Sequence, residues 1–218
     1  MKVRGPRFKL VPIVAFVLLG VLALQIPFTK LLGADVRFTL FDLFAPIAGK
    51  LFAPVLGVFG VFIALLVDFL LHGASLTVGS LIRFFPTLFA VWYFGSRKHT
   101  SSLIAVAAII AFNLHPIGRT VWFYSLFWTI PLIMSYFKNK HVLARALGST
   151  FTAHAVGGAL WIWAFNLPAA TWISLIPIVI LERSVFTLGI AGSYLLVTKI
   201  QAELKKQHLP GFLQAFFK

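Results

Sequence analysis

Five carboxylates and six histidines are the chain's whole supply of acid–base groups near neutral pH, and most of the informative ones stand among apolar residues. Asp42, Asp68, Arg83, Asn113, His115 and Arg119 each lie near the end of an apolar run, and His154, Glu182 and Arg183 lie deep within two further runs. An ionisable group in apolar surroundings costs at least a few kcal/mol unless it pairs or lines a wet cavity. All nine are therefore candidate substrate-binding residues. Two arginines set against two aspartates suit a zwitterionic or anionic small molecule. The spacing predicts Asp68 paired with Arg83 and His154 bonded to Glu182. Glu182 and Arg183 are adjacent, about 100° apart on a helix, so each is expected to find its partner on another segment. Thr150, Thr152, Gly157 and Gly158 surround His154 with small side chains that leave room for a ligand.

Recognised catalytic arrangements are absent. The chain has no H-E-x-x-H, no G-x-S-x-G and no phosphate-binding loop. With no cysteine, disulfides, thiolate catalysis and cysteine-ligated metals are excluded. No catalytic residue, metal site or cofactor is assigned. The reading carried forward is a non-enzymatic one. Its alternatives are an intramembrane enzyme acting on a lipid-linked or small substrate through His154, Glu182 and Arg183, and a non-catalytic membrane scaffold subunit.

The elements that must position these residues follow from composition. Hydrophobic residues make up 60% and charged residues 11% of the chain, whereas soluble domains carry about a quarter charged residues. The fold class is all-α: a polytopic helix bundle of six to eight transmembrane segments, multi-pass in the cell membrane. A net charge of +14 does not indicate nucleic acid, because the basic residues sit in short clusters between apolar runs and read as topology signals. The apolar runs are about 10–28, 39–52, 54–72, 76–94, 101–114, 120–137, 144–165 and 171–198. The first follows four basic residues but lacks an A-x-A site, so it is retained as a helix and not a cleaved leader. Residues 39–52 and 101–114 are short for a span and are either tilted or re-entrant. Counting Lys and Arg in alternate loops puts both termini in the cytoplasm and places Asp42, Asp68, Arg83, His115 and Arg119 near the outer boundary. Residues 1–199 form one transmembrane domain, and residues 200–218 form a basic amphipathic cytoplasmic tail that lies on anionic lipid. Trp122, Trp128, Trp161, Trp163 and Trp172 read as interfacial belts.

Gly49, Ala53 and Gly57 recur at four-residue steps, a pattern that lets helix backbones approach closely, inside one subunit or against a partner. The stretch holding them, FDLFAPIAGKLFAPVLGVFGVFIALLVDFLLHG, resembles the second and third helices of the substrate-binding S components of energy-coupling factor (ECF) transporters. Asp42, the Ala53–Gly57 junction and Asp68 occupy the characteristic positions. The resemblance implies a vitamin- or micronutrient-binding integral subunit that captures a small-molecule substrate from outside. It further implies docking on a transmembrane coupling subunit driven by two ATPase subunits. Ala15, Gly20 and Ala23 on the first helix, with Gly49, Ala53 and Gly57, are the candidate docking residues. Membrane lipid is the remaining expected partner, and nucleic acid is not one.

Overall fold

The computed structural model describes residues 7–30 and 37–206. The chain opens with α1 (Arg7–Leu24), which ends at a short antiparallel ribbon of β1 (Pro27–Lys30) and β2 (Arg37–Thr39). The sequence predicted helix as far as residue 28. Pro27, which has no N–H to donate, instead starts the ribbon, and the register slips between Pro27 and Thr29. Two 3-10 turns, Leu40–Leu43 and Ala45–Ile47, then lead into the one-turn α2 (Ala48–Leu51). Asp42 starts this run by accepting hydrogen bonds at Oδ2 from the Thr39 N–H (2.8 Å) and hydroxyl (3.2 Å), and Pro46 opens the second turn. Ala53, at φ 72°, breaks the path before α3 (Pro54–Leu71).

The rest of the chain is α4 (Val78–Ile82), α5 (Phe84–Gly95), α6 (Leu103–Leu114), α7 (Pro116–Thr120), a 3-10 segment Trp122–Thr129, α8 (Ile130–Ser135), α9 (Val142–Phe165) and α10 (Ala169–Lys206). Among the described residues, three helical stretches are long and apolar enough to cross a bilayer: Pro54–Leu71, Val78–Gly95 and Ala169–Leu204. With the apolar composition, they mark an all-α membrane protein.

The centre of the bundle is α9, which packs against α5, α6, α8 and α10. It is not among the three apolar stretches, and its polarity explains its place. Arg145, Ser149, Thr150, Thr152 and His154 would be costly against lipid, so apolar neighbours enclose them. Their hydrogen bonds stay inside the protein, as with the Ser149 hydroxyl donating to the Ala90 carbonyl at 2.8 Å and Thr152 to Gly148 at 2.7 Å. Leucines and other apolar residues, such as Leu18, Leu22, Val55, Leu181 and Leu188, cover the outside.

Contacts between element ends sort into two groups, so successive segments run back and forth between two faces. At one face Gln25 meets Asp68, Gly79 lies beside Phe165, and His115 meets Asn166. At the other, α2 crosses the end of α5 at Gly49 and Gly95, Lys138 bonds Ser101, and Arg145 bonds the Phe94 carbonyl.

Most of the small residues expected to dock on a partner are occupied within the chain. A Cβ on Gly49 would collide with the Val91 carbonyl, one on Gly57 would come within 2.5 Å of the Ala48 backbone, and one on Gly20 within 2.7 Å of the Phe41 ring. Ala23 is buried, Ala15 half-buried, and only Ala53 is exposed. Helix α10 continues past residue 199 to Lys206. The tail aromatics Phe212, Phe216 and Phe217 lie outside the described residues. Nor do the tryptophans form one belt: Trp128 and Trp172 are core residues (0% and 2% exposed), whereas Trp122 and Trp163 are more than half exposed.

Candidate functional site

Two helix stripes build a cavity between α9 and α10. On α9 the stripe is Thr150, Ala153, His154, Gly157, Gly158 and Trp161, and on α10 it is Trp172, Leu175, Val179, Glu182, Arg183, Phe186 and Ile190. Both follow the three-to-four-residue spacing of a single helix face. Ala153 and Gly157 keep the α9 wall low on this side, and Gly158 lets the Trp128 ring pack against α9, where a Cβ would come within 2.5 Å of it. Phe38 and Asp42 close one side, and Arg83 and Pro86 reach in from α4 and α5. The volume open to the centre of a water molecule is about 160 Å³, and the walls are mostly apolar.

Five of the nine candidate residues converge here: Asp42, Arg83, His154, Glu182 and Arg183. Arg183 is 5% exposed. Its Nη1 donates to Thr150 Oγ1 at 3.3 Å and its Nη2 to Glu182 Oε2 at 3.4 Å. The guanidinium lies over the Phe186 ring at 4.6 Å and the Phe38 ring at 5.0 Å. Arg183 Nε is fully buried and has no hydrogen-bond partner among the described residues. Glu182 and Arg183 therefore do meet, contrary to expectation, because two long side chains can curl toward each other across the 100° between their Cα–Cβ bonds.

His154 does not bond Glu182. Its Nδ1 accepts from Trp128 Nε1 at 3.0 Å, and its Nε2 lies 3.0 Å from the Tyr124 hydroxyl. Indole N–H can only donate, which fixes the tautomer: Nδ1 is bare, Nε2 carries the proton, and that proton goes to the Tyr124 oxygen. The hydroxyl hydrogen of Tyr124 is then free to donate, and Tyr124 lines the cavity.

The remaining candidates lie elsewhere. Asp68 is not paired with Arg83. It accepts from Gln25 Nε2 at 2.9 Å and contacts His72 at 3.3 Å, beside a second, more polar vestibule of about 350 Å³ by the same measure. Leu24, Leu65 and Arg83 line both spaces. Asp42, expected beside Asp68 at the segment's outer end, faces the inner cavity, within electrostatic range of Arg83 and Arg183. Asn113 donates to Ser125 at 2.9 Å, His115 bonds Asn166 at 2.8 Å and caps α7, and Arg119 is exposed with a 3.4 Å contact to the Leu114 carbonyl. These three tie connections together and reach neither space.

Charge alone did not mark Tyr124, Phe38, Phe186 and Trp172 as site residues, and Thr150 stood out only as a small neighbour of His154. Only the α9 and α10 stripes carried a signal, since their spacing continues from the charged residues already singled out.

The chain is 27% identical to an uncharacterized protein of Methanocaldococcus jannaschii over 198 residues, which is 81% of this chain and 66% of that protein's length. No protein family matches the chain. No solved structure matches it either.

Proposed function

We propose that this chain is the membrane-embedded solute-binding subunit of an ATP-driven uptake transporter, similar in role to the S components of energy-coupling factor systems. The observation that carries this reading is the cavity between α9 and α10. It is mostly apolar, large enough for a small molecule, and furnished with a few convergent polar groups, the usual make-up of a ligand site. The neighbouring, more polar space with Asp68, His72 and Arg83 on its walls lies on the route we propose for the solute.

In this reading six to eight of the apolar segments cross the cell membrane, and both termini are cytoplasmic. The face with Arg97, Lys98, Lys138, Lys140 and Arg145 is cytoplasmic by its basic charge, and the vestibule opens outside. The substrate is a vitamin or other micronutrient. Capture is followed by reorientation of the subunit, powered by ATP hydrolysis in partner chains joined through a coupling subunit. Against the enzymatic alternative, His154 has both ring nitrogens engaged by Trp128 and Tyr124 and is not a free base.

Native mass spectrometry of the chain purified in mild detergent tests the binding half. The expected result is a retained small molecule that His154→Ala or Glu182→Ala releases. Copurification with ATPase subunits tests the transport half, and solute uptake by the chain alone in proteoliposomes would sink it.

A further inference from the structure

We propose that the cavity takes a small, flat, uncharged molecule whose polar end offers a carbonyl-type acceptor to Arg183 Nε. This rests on the solute-binding reading above and narrows its substrate. A guanidinium has five N–H donors in a rigid fork. Here one end is spent on Thr150 and Glu182, while Nε, sealed from bulk water, has no acceptor. A buried donor left unmade is costly, more so on a charged group.

The site lacks a hydrogen bond, not a countercharge. Glu182 already lies 3.4 Å from Arg183, and Asp42 is in electrostatic range of both arginines. Two guanidiniums thus balance two carboxylates. A carboxylate ligand would add a third negative group beside Glu182 and Asp42, where the low dielectric magnifies repulsion. An ammonium ligand would meet two arginines and still leave Nε unpartnered. A neutral carbonyl satisfies Nε without disturbing the balance, and the Tyr124 hydroxyl supplies a second donor to the same oxygen or its neighbour. The Phe38 and Phe186 rings flank the guanidinium, so the acceptor approaches its edge. Trp172, Leu175 and Val179 are the apolar wall for a flat body.

Thermal melting of the full chain in detergent, titrated with four matched probes, tests this. The probes are benzamide, benzoate, benzylamine and toluene. Benzamide is expected to raise the midpoint saturably, by roughly 3 °C at ten times its dissociation constant, and to bind more tightly than the other three. Arg183→Lys keeps the charge but loses Nε, and should weaken benzamide by roughly tenfold. Tyr124→Phe removes one oxygen, carries the test if the arginine variant does not fold, and should weaken benzamide several-fold without changing toluene. Tighter binding of benzoate or benzylamine overturns the proposal, as does equal binding of toluene or no binding of any probe. A retained natural molecule that proves charged overturns this inference and leaves the solute-binding reading standing. No retained molecule and no probe binding would remove both.

Discussion

Lys138 illustrates how single cations are accommodated where lipid cannot solvate them. Its ammonium donates to the Lys98 carbonyl at 3.0 Å and to Ser101, and stands 4.2 Å from the Tyr93 ring centre. No carboxylate is among these partners, so burial, with Arg145 adding repulsion, pushes its pKa down to about 8. In the unfolded chain Lys138 holds its proton up to about pH 10.4. Between these values the unfolded state binds more protons, so stability rises with pH across that window and levels off at its lower value below about pH 8. Melting midpoints measured from pH 7.5 to 10.5 should climb for the wild type relative to Lys138→Met; parallel curves would refute the shift. At this scale the sequence was legible in part. The cost of burying Glu182, Arg183 and His154 could be read directly from their apolar neighbours. Their partners could not, because Trp128, Tyr124 and Thr150 approach through the fold, and nothing local ties residue 42 to residue 183.

At the scale of elements, glycine decides how closely the segments approach. Gly49 and Gly95 bring α2 and the end of α5 into backbone contact, and a Cβ on either would strike a main-chain atom with no rotamer to move aside. Gly49→Ala should therefore cost roughly 1–3 kcal/mol by overpacking. Gly192 is an internal control. It is exposed, nothing lies within 4 Å of its would-be Cβ, and alanine there should gain about 0.5–1 kcal/mol of helix stability. Chemical or thermal denaturation of both variants in one detergent decides the sign. Helices α3, α9 and α10 were readable from their apolar runs, to within about two residues at α9. The two stretches that fold as 3-10 turns, 40–47 and 122–129, were not, because apolar periodicity marks a buried segment without saying how tightly it is wound. The lengths did carry a hint, since 3-10 winding rises about 2.0 Å per residue against 1.5 Å for α. Residues 39–52 thereby cover more distance than an α-helix of equal length.

For the whole molecule, the absence of cysteine provides a clean test of the proposed topology. Single cysteines at 74, 117 and 168 should react with a membrane-impermeant maleimide on intact cells. Cysteines at 97 and 140 should react only after permeabilisation, and the reverse pattern would invert the topology. The packing of α9 inside a shell of more apolar helices was foreshadowed by its Thr, Ser and His content, but which helices enclose it is set by long-range packing that no single segment encodes. The length of α10 bears on motion. Its 38 residues extend about 57 Å, nearly twice the roughly 30 Å thickness of a bilayer's hydrocarbon core. The cavity residues Trp172 to Ile190 occupy its first half. A rigid tilt of the bundle by about 30° would sweep the far end through about 28 Å, half its length. Such a tilt would be readable as a distance between one spin label at Lys206 and another on a fixed partner.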